Sequence, residues 1–493
     1  MSKNNSIISH FFSGTVFIGF ARVSTIIFGL ISVMIATRYL TTEAYGAYVL
    51  VLTLNNVLVQ FFSFGLGLVI PKYLAGAEDE SYKTILQNTV LHFRLFSVFS
   101  IIFFLTVLKP FISTFFETAL FSDIFTALLF LFLLFSLSNL FESILRGQLA
   151  FRAIGVIEFV SEAIELVLLS VLVIVYGLGF WGLLIAKFVS RTVSVLLAYR
   201  MSRFKYRWQF DSLLIKEMLK FGFPLQAQYI FGFAYSKLDT LIIGSLLGTR
   251  GVAFYDIARK IPDSLMQLYS VFISVYFPVI ANVYATEKEE KSNYILNNSM
   301  RLLSFVTILA ALLALLFGKD IIVLLFSAEY LESYWVLVLL MLGVALDLME
   351  EILGYSLVAI GQPDKPLYIN IVRAVVSVAG NLIILPILGF KGAAFVYILG
   401  NLVALPIDVF FLRRKDLRPN FGNFFKLILV FGMVSTLFLL WNSNVLLFKM
   451  FIALLFVALS FLFSVITLRD ARIVFGEAHS AWSNFVSGLS GHK

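Results

Sequence analysis

Residues 154–199 read IGVIEFVSEAIELVLLSVLVIVYGLGFWGLLIAKFVSRTVSVLLAY, two long apolar runs on either side of the turn Tyr176-Gly177-Leu178-Gly179. About 20 apolar residues are enough for a helix to cross the hydrocarbon core of a bilayer, and each run has that length. The glycines between them are typical of a turn that separates two helices. This stretch therefore predicts a hairpin of two transmembrane helices.

The same pattern continues along the whole chain and predicts an all-α integral membrane fold of about fourteen transmembrane helices. The predicted spans are 14–37, 44–69, 85–108, 120–141, 154–176, 178–199, 222–247, 252–280, 301–326, 333–358, 369–388, 392–412, 423–441 and 445–468. The first run contains Arg22 and has no small-residue cleavage site, so we interpret it as a retained helix and not as a signal peptide.

The composition agrees with a membrane protein and excludes several other classes. Of 493 residues, 60% are hydrophobic and 13% are charged, whereas soluble domains are about 25% charged. There is no room for a large soluble catalytic domain. The chain has no cysteine, and its four histidines lie far apart in sequence, so we predict neither a metal site nor a cofactor. They are His10, His92, His479 and His492.

Lysine and arginine are concentrated in every second predicted loop. One side of the membrane carries the basic segment 200–220, whereas the opposite side carries single basic residues such as Arg38 and Lys109. Basic loops stay in the cytoplasm. This bias predicts an even number of spans, both termini in the cytoplasm and a place in the cell membrane, and it explains the net charge of +8 without nucleic acid.

The two halves of the chain resemble each other at three turns, in the same order and at a nearly constant distance along the sequence. The pairs are 37–48 with 244–255, 146–148 with 360–362, and 179–182 with 389–392. Such a repeat is typical of carriers built from two similar helical bundles. It predicts an N-terminal six-helix lobe at 1–205, a C-terminal six-helix lobe at 206–415, and two additional helices with a cytoplasmic tail at 416–493.

Several of these motifs resemble one transporter family. The turn Ala36-Thr37-Arg38-Tyr39-Leu40-Thr41-Thr42-Glu43-Ala44-Tyr45-Gly46 is similar to a turn of the polysaccharide-exporting flippases of the Wzx, or O-antigen flippase, type. The break Phe64-Gly65-Leu66-Gly67, the segment 237–244 and Gly361-Gln362-Pro363 fit the same pattern. These flippases belong to the MOP superfamily, which includes the MATE transporters.

The resemblance implies a MATE-like fold and a function in polysaccharide biosynthesis. The expected substrate is a polyprenyl-pyrophosphate-linked oligosaccharide, moved from the cytoplasmic to the outer leaflet by alternating access. No bond is made or broken, so the chain is not expected to be an enzyme. Membrane lipids and a glycan polymerase or glycosyltransferases are the expected partners, and nucleic acid is not.

Charged residues inside the predicted hairpin form the clearest candidate site. An ionisable residue at membrane depth costs roughly 2.5–3.5 kcal/mol, so each one needs a reason. With a rise of about 1.5 Å per residue, Glu162 falls level with Arg191, and Glu165 falls level with Lys187 on the antiparallel helix. We predict these two ion pairs, here called the ion-pair ladder. They either only hold the hairpin together or line the transport cavity.

A second set of charges predicts a site for an anion. Arg22, Lys237 and Arg259 would form a cationic cavity for pyrophosphate, because arginine and lysine recognise phosphate through charge-assisted hydrogen bonds. Arg94 and Arg373 are further cationic candidates. Asp239 falls level with Arg259, so structural pairing is the alternative.

A third set contains only acids. Asp347 lies on one helical face with both Glu350 and Glu351, at spacings of three and four residues. Buried carboxylates of this kind either take up protons or hold a cation. They are therefore candidates for coupling transport to H⁺ or Na⁺, the alternative being that they face an aqueous vestibule.

Two other functions compete with a flippase. A multidrug or organic-cation antiporter of the same superfamily would need an acidic, aromatic cavity. A membrane glycan polymerase or glycosyltransferase would need a large external loop or an acidic catalytic motif, and the predicted loops are short.

Overall fold

A computed structural model describes residues 23–77, 79–114, 121–286, 289–441 and 445–467. Within these ranges the regular structure is helical, and no β-strand occurs. The helices are α1 (Val23–Tyr39), α2 (Thr42–Phe61), α3 (Leu66–Ala75), α4 (Glu80–Ile112), α5 (Phe121–Gly147), α6 (Phe151–Leu169), α7 (Gly179–Met201), α8 (Ser212–Thr286), α9 (Glu289–Leu325), α10 (Tyr334–Ala359), α11 (Asp364–Leu388), α12 (Lys391–Arg413), α13 (Gly422–Trp441) and α14 (Leu446–Leu462). A π-helical turn, Ser170–Val175, extends α6.

Nine helical segments in the described residues are long enough and apolar enough to cross a membrane. Shorter apolar helices accompany them, among them α1, α3 and α14. The predicted all-α membrane fold is therefore confirmed. The count of fourteen spans stays a prediction.

The second predicted span is interrupted between α2 and α3. Phe64 and Gly65 both have positive φ, at 53° and 73°. A Cβ atom on Gly65 would lie 2.2 Å from the carbonyl oxygen of Gly222 on α8. Glycine is required here because only it combines this backbone conformation with so close an approach.

The backbone groups released by this interruption find partners on two neighbouring helices. The fully buried Arg94 of α4 donates a hydrogen bond of 2.9 Å to the carbonyl oxygen of Phe62. On α8, Gln226 Oε1 accepts from Ser63 Oγ at 2.7 Å and from Gly65 N at 3.0 Å. Unpaired backbone groups are costly inside a membrane, and these contacts make the interruption tolerable. The described hydrogen bonds of Arg94 therefore stabilise the interrupted backbone and do not involve a ligand.

Helix α8 contains two predicted spans, 222–247 and 252–280. They meet at Gly248, whose φ of 69° and ψ of −174° are not helical. This region of backbone space is essentially restricted to glycine. The break coincides with the turn that the sequence indicates between the two spans.

The chain divides into two compact units. The first comprises the described parts of Met1–Lys260, Ile322–Ser333 and Asn370–Val396. The second comprises those of Ile261–Ile321, Tyr334–Ile369 and Tyr397–Lys493. The predicted lobes, 1–205 and 206–415, follow chain order and stay a prediction.

In the first unit, α3 to α6 pack around fully buried aliphatic side chains such as Leu66, Leu86 and Ile144. Gly147 at the end of α5 lies so close to α3 that a Cβ atom there would be 2.8 Å from Leu74. Helices in a membrane associate mainly through such close packing. The packing fixes the positions from which α5, α6 and α7 present their polar side chains.

Each unit also contains an asparagine that joins a helix to a loop, here called the asparagine clamp. In the first unit, buried Asn88 of α4 donates to the carbonyl oxygen of Lys205 at 2.9 Å and accepts from the backbone N of Arg207 at 2.7 Å. In the second unit, Asn293 of α9 donates to Asp416 at 2.9 Å and accepts from Arg418 N at 2.6 Å. The clamps repeat the same two contacts in each half of the chain.

Candidate functional site

The structure brings together both pairs of the ion-pair ladder. Lys187 Nζ lies 2.5 Å from Glu165 Oε1, and these side chains are 10% and 5% exposed. The guanidinium of Arg191 lies 3.2 Å from Glu162 Oε1, and these side chains are 20% and 16% exposed. Both pairs join α6 to α7, as does a hydrogen bond of 2.9 Å from Ser190 Oγ to the carbonyl oxygen of Ser161.

Of the four charged residues, Arg191 lines a polar cavity of about 310 Å³ inside the first unit. Helices α2, α5, α7 and the first part of α8 contribute the walls. The lining residues are Asn56, Val59, Gln60, Phe135, Ser138, Asn139, Glu142, Arg191 and Phe233. We call this space the polar cavity.

The cavity offers both charged and neutral hydrogen-bonding groups. Ser138 Oγ donates to Glu142 Oε1 at 2.9 Å, and Arg146 lies 3.9 Å from the same carboxylate. Within the described part of the chain, Asn139 Oδ1 accepts no hydrogen bond and Arg191 Nε donates none. Both atoms are buried beside the cavity, and a buried polar atom without a partner is costly.

An aromatic ring supports the arginine from one side. The guanidinium carbon of Arg191 lies 4.4 Å from the ring centre of Phe135. Such a cation–π contact contributes about 0.5–2 kcal/mol and restricts the orientation of the plane of the guanidinium. Arg191 is therefore held between Phe135 and Glu162 and faces the cavity from a defined position.

The residues of the predicted cationic cavity lie elsewhere. Arg259 pairs with Asp239 at 2.9 Å, and the hydroxyl of Tyr255 donates to the same carboxylate. Lys237 is half-buried on α8. Neither Lys237 nor Arg259 is among the residues that line the polar cavity. Arg22 lies outside the described residues.

A neighbouring pair in the first unit is built in the same way. Lys260 lies 2.9 Å from Asp256, and the hydroxyl of Tyr45 donates to that carboxylate at 2.5 Å. Each aspartate here combines one basic partner with one tyrosine hydroxyl. A carboxylate that accepts several hydrogen bonds is well compensated inside a membrane.

The three acids of α10 lie in the second unit. Asp347 and Glu350 are both buried, and Glu351 is half-buried. The hydroxyl of Tyr397 on α12 donates to Asp347 Oδ2 at 2.7 Å. The structure thus places the acids inside the unit, with a hydroxyl donor at the first of them.

The sequence reasoning missed most of the polar cavity. Asn56 and Gln60 are four residues apart on α2, and Ser138 and Glu142 are four apart on α5, so each pair shares a helical face. Polar residues at this spacing in an otherwise apolar helix are the sequence feature from which the cavity lining could have been predicted. Nothing in the spacing of one helix indicated that the two faces meet at Arg191.

Comparisons with known proteins agree with the membrane fold and with the resemblance noted above. Residues 35–334 match the family described as polysaccharide biosynthesis protein. The chain is 26% identical over 165 residues to the probable low-salt glycan biosynthesis flippase Agl15 of Haloferax volcanii. That match covers 34% of this chain and only 35% of the relative, so the chain spans about a third of that protein's length.

Two solved structures have a similar fold. Lipid II flippase MurJ, in an inward closed conformation, superimposes with a TM-score of 0.75 at 15% identity, over 92% of this chain and 99% of that one. An inward-facing multidrug resistance MATE family transporter of the MOP superfamily gives a TM-score of 0.68 at 18% identity, over 80% and 94% of the two chains. These likenesses establish the fold alone. Since the family match covers more than half of the chain, this multi-pass membrane protein belongs to the polysaccharide biosynthesis protein family.

Proposed function

We propose that the protein is a carrier that flips a polyprenyl-pyrophosphate-linked oligosaccharide from the cytoplasmic to the outer leaflet by alternating access. The observation that carries this proposal is the polar cavity, in a chain of the polysaccharide biosynthesis family. A cavity with an arginine and several amides suits an anionic, hydroxyl-rich headgroup. The similar proteins Agl15 and MurJ are named as a glycan biosynthesis flippase and a lipid II flippase, which supports a lipid-linked glycan as the substrate.

Arg191 is the residue that we expect to contact a phosphate. Its guanidinium presents several donors in a plane, which matches the oxygens of a phosphate group. Glu162 holds the guanidinium when no ligand is bound, at 3.2 Å. A phosphate would replace this carboxylate as partner, while Asn139 and Gln60 would bind sugar hydroxyls. The polyprenyl tail would stay in the lipid, and no bond would be made or broken.

The predicted cationic cavity remains part of the proposal. Arg22, Lys237 and Arg259 would contribute positive charge along the path, with the charge of Arg259 reduced by Asp239 at 2.9 Å. A variant in which all three basic residues are neutralised tests this role. Normal flipping by that variant would exclude it.

We also propose that Asp347, Glu350 and Glu351 couple transport to H⁺ or Na⁺. Burial of Asp347 and Glu350 supports this role, because a buried carboxylate gains from a proton or a bound cation. Transport that responds to neither a pH gradient nor a Na⁺ gradient would contradict it.

The charge pattern and the family support the proposed cellular setting. The concentration of basic residues in alternate loops supports a place in the cytoplasmic membrane with both termini in the cytoplasm. A glycan polymerase or glycosyltransferases would supply or use the substrate. The same proposal includes an O-antigen repeat unit as the glycan.

Flipping can be measured directly with the purified protein in liposomes that contain a fluorescent polyprenyl-pyrophosphate oligosaccharide. A membrane-impermeant quencher reports how much of the fluorophore has changed leaflet. We expect the protein to accelerate this movement over protein-free liposomes, and heat-inactivated protein is the control. No acceleration with any lipid-linked anionic glycan would overturn the proposal.

An organic-cation antiporter is the second candidate, and one observation favours it. Glu142 and the aromatic rings of Phe135 and Phe233 line the same polar cavity. An acidic and aromatic lining suits an organic cation. Uptake of a fluorescent cation that depends on Glu142, without flipping of the glycan lipid, would favour this alternative.

A further inference from the structure

A second and larger cavity opens where five helix ends of the first unit meet. Its volume is about 960 Å³. The C-terminal ends of α3, α5 and α7 and the N-terminal ends of α4 and α6 form its walls, together with the loop that follows α7. We call it the basic cavity, and among the described residues it shares none of its lining with the polar cavity.

The charges on its walls are mainly positive. The basic lining residues are Lys83, Arg203, Lys205 and Arg207. Among the described lining residues Glu80 is the acidic one, and Lys83 Nζ lies 2.7 Å from its carboxylate. The three basic residues of the loop therefore add their charge to a wall whose described carboxylate already has a basic partner.

The loop that carries these three residues is fixed in place by hydrogen bonds to its backbone. The asparagine clamp holds Lys205 and Arg207, through contacts of 2.9 Å and 2.7 Å from Asn88. Gln148 Nε2 donates to the carbonyl oxygen of Ser202 at 2.9 Å. Because the backbone is already ordered, a ligand has less conformational entropy to remove when it binds.

The surroundings of the cavity resemble the boundary between membrane and water. Trp208 is 85% exposed and lies against His92, and its neighbour Tyr206 is exposed as well. Leu149 on the cavity wall is also exposed. Tryptophan and tyrosine are enriched at the level of the lipid headgroups. These exposed aromatic residues indicate that the basic cavity lies at the level of the lipid headgroups, where the phosphate groups of a membrane are concentrated.

We propose that the basic cavity binds a phosphate group through Arg203, Lys205 and Arg207, and that the headgroup of an anionic phospholipid is its main source. Arginine and lysine bind phosphate oxygens by charge-assisted hydrogen bonds. A soluble phosphate compound would use the same chemistry. This site does not depend on the proposed transport function, since it can be tested by binding alone.

The test compares two triple variants that remove equal charge from corresponding loops of the two halves. The first carries Arg203→Gln, Lys205→Gln and Arg207→Gln. The control carries Arg414→Gln, Lys415→Gln and Arg418→Gln, in the loop held by the second asparagine clamp. All six side chains are exposed, so both variants should fold, which thermal unfolding in detergent checks. Native mass spectrometry counts the phosphatidylglycerol and phosphatidylcholine that each protein retains.

We expect the wild type and the control to retain phosphatidylglycerol in preference to phosphatidylcholine, and the first variant to bind it about 100-fold more weakly. Inorganic pyrophosphate is tested separately by calorimetry. If the wild type and the control bind pyrophosphate but retain no phosphatidylglycerol, and the first variant does not bind pyrophosphate, the source of the phosphate group is a soluble compound. An equal loss in both variants, or no loss in the first, would overturn the proposed site.

Discussion

The two pairs of the ion-pair ladder have the same chemistry and different surroundings. Glu165 and Lys187 are 5% and 10% exposed and do not line the polar cavity. Glu162 and Arg191 are 16% and 20% exposed, and Arg191 forms part of the cavity wall. The pairs are separated by about one helical turn, so a small difference in position decides which pair can reach a ligand.

This difference suggests a division of roles. A buried pair that no ligand reaches holds two helices together, because each charge is costly without the other. A pair at a cavity can exchange one partner for a ligand at a much lower cost. We therefore propose that the structural interpretation of the ladder applies to Glu165 and Lys187, and the functional one to Glu162 and Arg191.

The largest effect should come from breaking the buried pair. Glu165→Ala leaves the ammonium of Lys187 buried without its carboxylate, and we expect a loss of about 3–5 kcal/mol in the free energy of unfolding. Denaturant unfolding in detergent measures this loss. The corresponding Glu162→Ala should cost much less, because the more exposed Arg191 also contacts Phe135.

A double variant separates the charge from the packing. Lys187→Met added to Glu165→Ala removes the uncompensated charge and should restore part of the stability. Equal destabilisation by Glu165→Ala and Glu162→Ala would show that the two pairs do not differ as proposed.

An intermediate effect, larger on transport than on stability, is expected for the pair at the cavity. Arg191→Gln removes one charge-assisted hydrogen bond to the ligand, so flipping in liposomes should fall about tenfold. Arg200→Gln, an exposed arginine on the same helix, is the matched control and should flip normally. Full transport by both Arg191→Gln and Glu162→Gln at normal expression would leave the ladder with a structural role alone.

The smallest effect should come from the ring that supports Arg191. Phe135→Leu removes the cation–π contact at 4.4 Å and should reduce flipping a few-fold, in keeping with a contribution of about 0.5–1 kcal/mol. Phe130→Leu is the control, since Phe130 lies on the same helix and its ring packs against Phe188. If both variants lower flipping equally, the effect comes from helix packing and not from Arg191.

Local spacing predicted the features that depend on one or two neighbouring helices. The ladder follows from a rise of 1.5 Å per residue along two antiparallel helices joined by a short turn. The break at Gly248 lies between two predicted spans, whereas the interruption at Gly65 lies inside the predicted span 44–69, and glycine permits the positive φ at both positions. The roles of Arg94 and Gln226 could not be predicted, because their partners lie about 31 and 160 residues away in sequence.

The asparagine clamps show how the repeat extends beyond the turns. Asn88 and Asn293 make matching contacts with their loops, although the sequence around them gave no sign of it. An asparagine in a helix is unremarkable until the loop that uses it is known. These matching hydrogen bonds support the predicted repeat in addition to the three turns.

The sequence by itself determined that this is a helical membrane protein, where most of its helices turn, and which charges face each other in the hairpin of α6 and α7. These features depend on hydrophobicity and helical periodicity, which are local properties. Only the tertiary structure decided that Arg191 lines a cavity while Lys187 does not, and that Arg203, Lys205 and Arg207 surround another one. A cavity is the space left between several packed helices, so its walls depend on contacts between residues that are distant in sequence.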